Sequence, residues 1–400
     1  MGTAAAPLII KRKSKLGNNR IPERDGRKVR HMLLPPARWT RDHIRMISGA
    51  TIARTPRIFS NIAPVEPSIA IWDAWPVQDE TGHPVDVGGG RQLWMALAAP
   101  RFEDPDDRHA HARIHLLLLE SDGWRHLGPA MPDGFSPGSR EWSGSAVAGP
   151  DGRTVFCYFT ATGRRGERTI SFEQRIFSAT ATLGTSGGVP RLEAWRALEE
   201  ILVRDPAHYM STTEGHGEVG KIKAFRDPAY FRDPSDGQEY LFFAGSRARS
   251  VSNYNGVVGV ARREAAASPG WRLLPPILCA DGLNNELERP HVVAHQGLYY
   301  LFWSTQRHVF DPAGPSGPTG LYAMVSDSIF GEWRPVNGSG LVFANPADAP
   351  AQAYSWFVLP DLSVTSFVDD WLTEEARSFG GTFAPFVHLK LAGATADVAR

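Results

Sequence analysis

The sequence has 400 residues with 43 basic and 43 acidic side chains, so its formal net charge is zero. A balanced charge argues against nucleic acid or an anionic membrane surface as a partner. Hydrophobic residues make up 42% of the chain and charged residues 22%, as in an ordinary soluble globular protein. No stretch approaches the ~20 apolar residues that a membrane-spanning helix needs.

The first 35 residues, with the basic run KRKSKLGNNR, predict a disordered or extended tail. A short apolar piece precedes the basic residues, which is the reverse of the order in a secretory signal peptide. The sequence therefore predicts no cleavable signal. Residues 36–400 are predicted to form a single domain.

Helical periodicity is limited to two segments. RWTRDHIRMI (38–47) is the best helix candidate, and RLEAWRALEEIL (191–202) has helical spacing without a clear cap. Elsewhere, short runs rich in β-branched and aromatic residues, such as TVFCYFTATG, alternate with Gly, Pro, Asp and Asn. The pairs Asp122-Gly123 and Asp151-Gly152 follow two such runs and predict hairpin turns.

This pattern predicts an all-β fold, either a sandwich, a barrel or a propeller. No repeat of about 40–50 residues is visible, so a propeller of the best-known repeat types is not supported. A propeller whose blades differ in sequence remains open. The two cysteines, Cys157 and Cys279, fit no metal-binding or redox spacing and are interpreted as buried thiols.

Three acidic residues share one sequence context, an acid next to an aromatic residue or an arginine and close to a proline. They are Asp73 in WDAWP, Asp227 in FRDPAYF and Glu288 in ELERPHVV. Arg226 and Arg289 adjoin two of these acids, and a guanidinium keeps a neighbouring carboxyl ionised or clamps a substrate hydroxyl. We expect the acids on strand-start loops that face one cavity.

Such a set of acids suits glycoside chemistry. Retaining enzymes need a nucleophilic carboxylate and a protonated acid ~5–5.5 Å apart. Trp72 and Trp75 flank Asp73, so we expect them to exclude water and stack on a sugar ring. The RDP motif alone is weak evidence, because it also occurs at Asp205 and Asp233, which we interpret as ordinary turns.

Beyond the three acids, eight sequence blocks match those of a known family and occur in the same order. They are IWDAWPVQD (71–79), GSREWSGSAV (138–147), FRDPAYF (225–231), WRLLPPIL (271–278), ELERPHVV (286–293), NGSGLVFANP (337–346), QAYSWFV (352–358) and GGTFAP (380–385). Over residues 38–390 the chain resembles glycoside hydrolase family 68, the levansucrases, inulosucrases and related β-fructofuranosidases, and especially its Gram-negative branch.

The resemblance implies a five-bladed β-propeller with an axial active-site pocket. It implies a retaining fructosyltransferase that cleaves sucrose and passes fructose to β-(2,6)-fructan (levan), to oligosaccharides or to water. Asp73 resembles the nucleophile that forms a covalent fructosyl-enzyme, Asp227 the transition-state stabiliser and Glu288 the general acid/base.

Further positions match residues that bind the substrate. Those that resemble the lining of the sucrose pocket are Trp72, Trp142, Ser143, Arg226, Arg289 and Tyr354. Glu286 is expected on the glucose side of the site or behind it, and Gln306 aligns with a position that binds the leaving glucose or the acceptor. No cofactor and no metal are implied, and the partners are sucrose and sugar acceptors.

The chain departs from the family at three positions. Gln306 stands where relatives carry histidine or arginine, although Arg307 or His308 substitutes if the register differs. Ala244 stands where they have glutamate, and Trp356 where they have histidine. These departures leave the acceptor and the donor open.

Three alternatives therefore stay open, namely an inulosucrase-type β-(2,1) product, a hydrolase of fructans or other glycosides, and a non-catalytic sugar-binding propeller. Fructan chemistry favours an extracellular location reached without a cleavable signal, with the cytoplasm as the alternative.

Overall fold

The computed structural model describes residues 35–47, 52–59, 62–213, 222–265, 270–371 and 378–399. The chain divides into two units, residues 1–33 and 34–400, and the described residues all belong to the second. The predicted tail, residues 1–35, thus lies outside the described residues except for its last one. Its disorder stays a prediction.

The described residues are almost entirely β-structure, which confirms the predicted all-β class. The strands are β1 (Ala37–Arg38), β2 (Ile69–Gln78), β3 (Gln92–Pro100), β4 (Arg113–Glu120), β5 (Gly123–Pro129), β6 (Arg140–Ala148), β7 (Thr154–Thr162), β8 (Gln174–Ser186), β9 (Val189–Leu202), β10 (Phe225–Arg232), β11 (Glu239–Ser246), β12 (Gly256–Arg263), β13 (Trp271–Cys279), β14 (Glu288–His295), β15 (Leu298–Thr305), β16 (Gly320–Ser326), β17 (Arg334–Pro335), β18 (Leu341–Ala344), β19 (Ala353–Val358), β20 (Ser363–Val368), β21 (Val387–Ala392) and β22 (Thr395–Val398). The described helices are α1 (Arg41–Arg45) and three 3-10 turns, Pro105–Ala110, Arg307–Val309 and Val336–Gly338.

Consecutive strands pair antiparallel in groups, which within the described chain are β2–β5, β6–β9, β10–β13, β14–β18 and β19–β22. The first two groups are joined into one sheet by a short parallel pairing, Val77 with Ala146 and Gln78 with Val147. The first strands of the groups contact one another in a closed order, from β2 through β6, β10, β14 and β19 back to β2. The centre of the molecule is therefore a ring of first strands.

The N-terminal end of the described chain is held by this β-structure. β1 pairs in parallel with β13, and Trp39, only 1% exposed, follows directly. Its ring meets Trp303 and Tyr322 edge-on at centroid distances of 5.1 and 4.9 Å, and its indole nitrogen donates to the Ser339 carbonyl at 2.9 Å. Burial of this large aromatic ring attaches the segment before the first group to the fourth.

Of the two predicted helical segments, one contains a shorter helix and the other is a strand. The 38–47 segment contains α1, although only over Arg41–Arg45. The helical interpretation of residues 191–202 is wrong, because this segment is part of β9 and pairs with β8 along its length. Its irregular apolar spacing reflects breaks in strand register, with positive φ angles of 49° at Ala194 and 52° at Ala197. Tertiary pairing overrides the helix propensity of Ala, Leu and Glu.

The predicted turns are confirmed. Asp122 and Gly123 lie at the hairpin between β4 and β5, where Glu120 pairs with Gly123. At the turn between β6 and β7 the Asp151 carboxylate accepts from the Thr154 backbone at 2.8 Å, while Gly152 has a φ of 64°. Cys157 and Cys279 are free and buried, as expected.

Candidate active site

The candidate site residues lie at or beside breaks in the register of the first strands. Each first strand loses register with its neighbour at one point, between Trp72 and Ala74 in β2, Trp142 and Gly144 in β6, Arg226 and Ala229 in β10, Glu288 and His291 in β14, and Tyr354 and Phe357 in β19. Such bulges re-aim side chains and are common beside active sites. Asp73 and Asp227 therefore lie within strands and not on loops before them, contrary to our expectation, whereas Glu288 is the first residue of β14.

The backbone at these bulges is unusual. Asp73, Asp227, Arg289 and Ser355 have φ angles of 45°, 62°, 48° and 60°. A positive φ at a residue other than glycine costs free energy and persists only where the surrounding structure holds it. In β6 the residue after Ser143 is Gly144, because a Cβ atom there would lie 1.9 Å from the Tyr158 carbonyl oxygen. Close packing of β7 on β6 thus requires glycine beside Ser143.

Asp73 is held by a neighbouring strand. The Ser143 hydroxyl donates to its Oδ2 atom at 2.8 Å. Trp72 and Trp75, its neighbours in sequence, are 3% and 1% exposed, whereas Asp73 itself is partly exposed. The Trp75 ring is covered and its centroid lies 5.9 Å from the Arg289 guanidinium carbon, and the expected stacking of these tryptophans on a sugar stays a prediction.

The guanidinium of Arg226 lies within 3.8 Å of three carboxyl groups. Arg226 donates through Nη2 to Oε1 of Glu288 at 2.8 Å, and the same nitrogen lies 3.8 Å from Oε2 of Glu286. Its Nε atom lies 3.7 Å from Oδ2 of Asp227. Burial lowers the pKa of Arg226, but the charges of Glu288, Glu286 and Asp227 outweigh burial and raise it, so Arg226 stays charged.

The charges of the other two acids both affect the pKa of Asp227. Burial raises its pKa to about 7, the charges of Glu288 and Asp73 add to this rise, and Arg226 and Arg289 oppose it. Because both other acids affect Asp227, the three predicted acids lie in one site. The Asp227 side chain is 7% exposed and the Glu288 side chain 21%, so Glu288 lies on the more open side.

Both oxygens of Glu288 have partners. Arg226 binds Oε1, and the Tyr354 hydroxyl donates to Oε2 in a short hydrogen bond. Trp142 borders this group, with its ring 5.8 Å from the Arg226 guanidinium carbon. Within the described residues its buried indole N–H has no hydrogen-bond partner, so it remains available as a donor. Tyr354 thus contacts the acid and Trp142 the arginine that binds it, while their predicted place in the sucrose pocket stays a prediction.

Arg289, in β14, joins its own strand to three other first strands, β10, β19 and β2. Its backbone N–H donates to Asp227 Oδ2 at 3.3 Å, and its Nη1 donates to the Ser355 hydroxyl at 2.9 Å. Its Nη2 donates to the carbonyl of Ala74 at 2.5 Å. The guanidinium is therefore engaged by protein, and its predicted contact with sucrose stays a prediction.

Glu286 lies behind Glu288. Burial raises its pKa to about 7, and the charge of Glu288 contributes. The Asn285 side chain donates through Nδ2 to Oε1 of Glu286 at 3.4 Å, and its Oδ1 atom accepts from the buried Lys223 ammonium at 2.9 Å. Lys223 also donates to Asn255 at 3.1 Å. This polar cluster orients Glu286 toward Arg226.

A family model described as levansucrase/invertase, that of glycoside hydrolase family 68, matches residues 32–256 and 249–400. The chain belongs to glycoside hydrolase family 68. Levansucrases from Pseudomonas savastanoi pv. glycinea and Erwinia amylovora are 30% and 29% identical to it, over 90% of this chain and 89% and 93% of theirs. The predicted family is thus confirmed.

Solved structures of family 68 proteins share its fold. An inulosucrase from Halalkalicoccus jeotgali, solved with bound kestose, is 34% identical with a TM-score of 0.83, over 91% of this chain and 95% of that one. The catalytic domain of a β-fructofuranosidase from Microbacterium saccharophilum K-1 is 25% identical with a TM-score of 0.81, over 91% of each chain. A levansucrase from Gluconacetobacter diazotrophicus is 25% identical with a TM-score of 0.79, over 91% and 90%.

The departures from the family pattern lie around the acids. Ala244 is buried and pairs across the sheet with Arg226. Trp356 is buried with its ring edge-on to Tyr354 at 5.9 Å. Gln306 caps the turn Arg307–Val309 and has no described contact with the three acids.

The segment of Glu286 nevertheless lies against that turn, because the backbone of Asn285 donates to the Val309 carbonyl at 3.0 Å. This contact joins the segment of Glu286 to the turn that follows Gln306, and the predicted role of Gln306 in binding glucose or the acceptor stays a prediction. The other two RDP motifs are turns, as predicted, with the Asp205 and Asp233 carboxylates each accepting from the backbone two residues on at 2.8 Å.

Sequence reasoning missed three residues that support the candidate site, Thr160, Ser355 and Lys223. Thr160 accepts the backbone N–H of Asp227, and Ser355 accepts from Arg289. Ser355 follows Tyr354 in a matched block, so that block was a signal for it, whereas Thr160 and Lys223 lie outside the quoted motifs. In the described part of the chain no three His, Cys, Asp or Glu residues are arranged to hold a metal ion, and no helix there is long and apolar enough to span a membrane.

Proposed function

We propose that this protein is a retaining fructosyltransferase that cleaves sucrose and passes fructose to a growing β-(2,6)-fructan, to oligosaccharides or to water. Its family and its levansucrase relatives support the enzyme class. The observation that carries the proposal is the convergence of three carboxyls from three first strands. Arg226 binds Glu288 and lies beside Asp227, and the charge of Asp73 raises the pKa of Asp227.

We also propose that the strand groups are the blades of a five-bladed β-propeller whose axis holds the pocket. The closed order of contacts between β2, β6, β10, β14 and β19 supports this arrangement. Bulges in the same five strands carry the candidate residues. A propeller leaves a central cavity where such side chains meet.

In the first step Asp73 is the nucleophile. One of its oxygens forms a bond to the anomeric carbon of the fructosyl unit while the bond from that carbon to the glucosyl oxygen breaks. The Ser143 hydroxyl holds Oδ2, so Oδ1 is left to attack. Glu288 gives its proton to the departing glucosyl oxygen, and glucose leaves as a neutral alcohol.

In the second step Glu288 acts as the base. Its carboxylate takes a proton from water or from an acceptor hydroxyl, whose oxygen bonds to the anomeric carbon and releases Asp73. Arg226 and Tyr354 hold the two oxygens of Glu288 in both steps. The greater exposure of Glu288 suits this role, because the acceptor arrives from the open side.

Asp227 suits the stabiliser role because it is buried beside both reacting carboxyls. We assign it the fructosyl hydroxyls, to which it binds most strongly as positive charge develops on the ring. Burial and the charges of Glu288 and Asp73 raise the pKa of Asp227, while Arg226 and Arg289 oppose this rise and favour the ionised form that the stabiliser role requires.

Incubation of the purified protein with sucrose tests the proposal. Release of glucose in excess of free fructose is expected, because transferred fructose does not appear as the monosaccharide. Asp73→Asn should abolish release of both sugars while the protein stays folded. The absence of both sugars with the wild-type protein would overturn the proposal, and NMR of the polymer decides between β-(2,6) and β-(2,1) linkage.

A second candidate is a β-fructofuranosidase that transfers mainly to water. It is favoured by the uncharged Gln306, where the family pattern has histidine or arginine, and by the likeness to the Microbacterium saccharophilum enzyme. Equal release of glucose and fructose from sucrose would establish it. A panel of sucrose, raffinose, inulin and arabinan substrates separates it further from a hydrolase with another donor.

A further inference from the structure

A buried hydroxyl in β7 joins β6, whose Ser143 holds Asp73, to β10, which carries Asp227. Thr160, in β7, is 0% exposed. Its Oγ1 atom donates to the carbonyl oxygen of Ser143 at 3.1 Å and accepts the backbone N–H of Asp227 at 3.0 Å. A hydroxyl does both at once, because giving its proton to a carbonyl leaves its lone pairs free.

These contacts complete a hydrogen-bonded path between two of the acids. Asp73 accepts from the Ser143 side chain, the Ser143 carbonyl accepts from Thr160, and Thr160 accepts from the backbone of Asp227. The path passes through the bulge of β6 and ends in the bulge of β10. Because these bulges lie in different sheets, no backbone ladder sets the distance between them.

The contact matters most at Asp227. Its φ of 62° is unfavourable for aspartate, and its backbone N–H is buried at a point where β10 has lost register with β11. A buried donor without an acceptor costs free energy, so the bulge would relax if Thr160 lost its oxygen. Relaxation would move the Asp227 carboxyl relative to Asp73.

We infer that Thr160 is a positioning residue that sets the nucleophile and the stabiliser at their working separation. The inference rests on the proposed function, since it assigns Thr160 a part in fructosyl transfer. Thr160 does not touch the reacting atoms itself. It acts through Ser143 on one acid and through the backbone on the other.

The chain offers a matched control. Ser145, also buried in β6, accepts the backbone N–H of Tyr230 at 3.0 Å, three residues along β10 from Asp227. This hydrogen bond is of the same kind and joins the same groups of strands, but it lies away from the acids. Its loss should cost stability without moving Asp227.

The experiment compares Thr160→Val, Thr160→Ser and Ser145→Ala with the wild type on sucrose. Valine keeps the shape of threonine and suits a strand, but it neither donates nor accepts. We expect kcat of Thr160→Val to fall about tenfold to a hundredfold with KM within about threefold, because a small misplacement of reacting groups costs that much. Thr160→Ser should keep most of the wild-type kcat. Ser145→Ala should lower the melting temperature but leave kcat unchanged.

Two outcomes overturn the inference. One is a Thr160→Val protein with wild-type kcat, and the other is an equal loss of kcat in Ser145→Ala, which would make both contacts merely structural. If Thr160→Val does not fold, Thr160→Cys against Thr160→Ser decides in its place, because the thiol has nearly the same size and is a much weaker acceptor. A wild-type protein that releases no sugar from sucrose would instead contradict the proposed function.

Discussion

The Nη2 atom of Arg226 lies 2.8 Å from Oε1 of Glu288, and the same guanidinium lies within 3.8 Å of carboxyl oxygens of Asp227 and Glu286. The planar guanidinium holds its donors in a fixed fork that reaches three acids, whereas a lysine ammonium is a compact point charge on a flexible chain. The arrangement makes Arg226 the electrostatic centre of the site.

Replacing Arg226 by lysine should therefore lower kcat on sucrose by about a hundredfold or more, although the charge is kept. Steady-state release of glucose measures this. Arg113→Lys is the control, because Arg113 Nε lies 3.0 Å from Oε1 of the buried Glu141, away from the site. That variant should lose stability and keep its kcat. A kcat for Arg226→Lys within threefold of the wild type would contradict the shared role.

Glu288→Gln should separate donors by their leaving groups. Glutamine cannot supply a proton, so turnover of sucrose should fall by about 10²–10⁴-fold, the usual contribution of a general acid. An aryl β-fructofuranoside needs little protonation of its leaving group, and formation of the fructosyl-enzyme from it should fall far less. The pre-steady-state burst of the aryl alcohol measures this step.

Asp73→Asn is the comparison for this experiment, because it should silence both donors. Mass spectrometry of the quenched Glu288→Gln protein should find the fructosyl group on a peptide that contains Asp73. Equal slowing of sucrose and the aryl donor by Glu288→Gln would argue against its role as the acid.

Asp227→Asn should stabilise the protein at alkaline pH. The ordinary pKa of aspartate is 3.8, and in the folded protein burial raises it to about 7. Between these values the folded state binds more protons than the unfolded state, so this group lowers stability as pH rises from about 4 to about 7. The variant lacks this loss, and its melting temperature should exceed that of the wild type by ~2 °C or more at pH 8 and match it at pH 4.

The control for this pH dependence is Asp151→Asn, at a fully exposed turn. Hydrogen bonds from Thr154 and Arg153 lower the pKa of Asp151 to about 2, so its contribution to stability is complete above pH 4. Its difference from the wild type should stay constant between pH 5 and 8. A difference for Asp227→Asn that is likewise constant would refute the raised pKa.

His291 allows a test of the bulge in β14. Burial lowers the pKa of His291 to about 3, so the ring is neutral. The Val358 backbone donates to Nε2 at 2.9 Å, which leaves the proton on Nδ1 to donate to the Arg289 carbonyl at 2.9 Å. His291→Asn keeps a donor near the position of Nδ1, while His291→Gln keeps an acceptor near the position of Nε2.

We expect both His291 variants to melt earlier than the wild type by similar amounts. Only His291→Gln should lose kcat on sucrose, by about tenfold, because Arg289 then loses the donor that fixes its backbone beside Asp227. A greater loss of kcat in His291→Asn would show that the contact with Val358 is the important one.

The three acids could be singled out from the sequence because a carboxylate is rarely placed among tryptophans, arginines and prolines without a partner or a chemical role. The class of fold was predictable from short apolar runs between turn residues. The role of Thr160 was not predictable, because threonine is ordinary in a strand and its partner Asp227 lies 67 residues away in the chain. Residues 191–202 misled because their helix propensity is real, and only pairing with β8 makes them a strand. Local sequence patterns therefore do not reveal contacts between segments that are distant in the chain.

The bulges in the first strands keep the reacting carboxyls apart from the connections between strands. An insertion or deletion in the connection between β11 and β12, for example, leaves the kink at Asp227 in place, since that kink is held by Thr160 and Arg289. Natural variation in these connections is thus free to alter which sugar is accepted while the reacting centre is inherited unchanged. We expect descendants of one ancestor with different product spectra to differ mainly in their connecting segments.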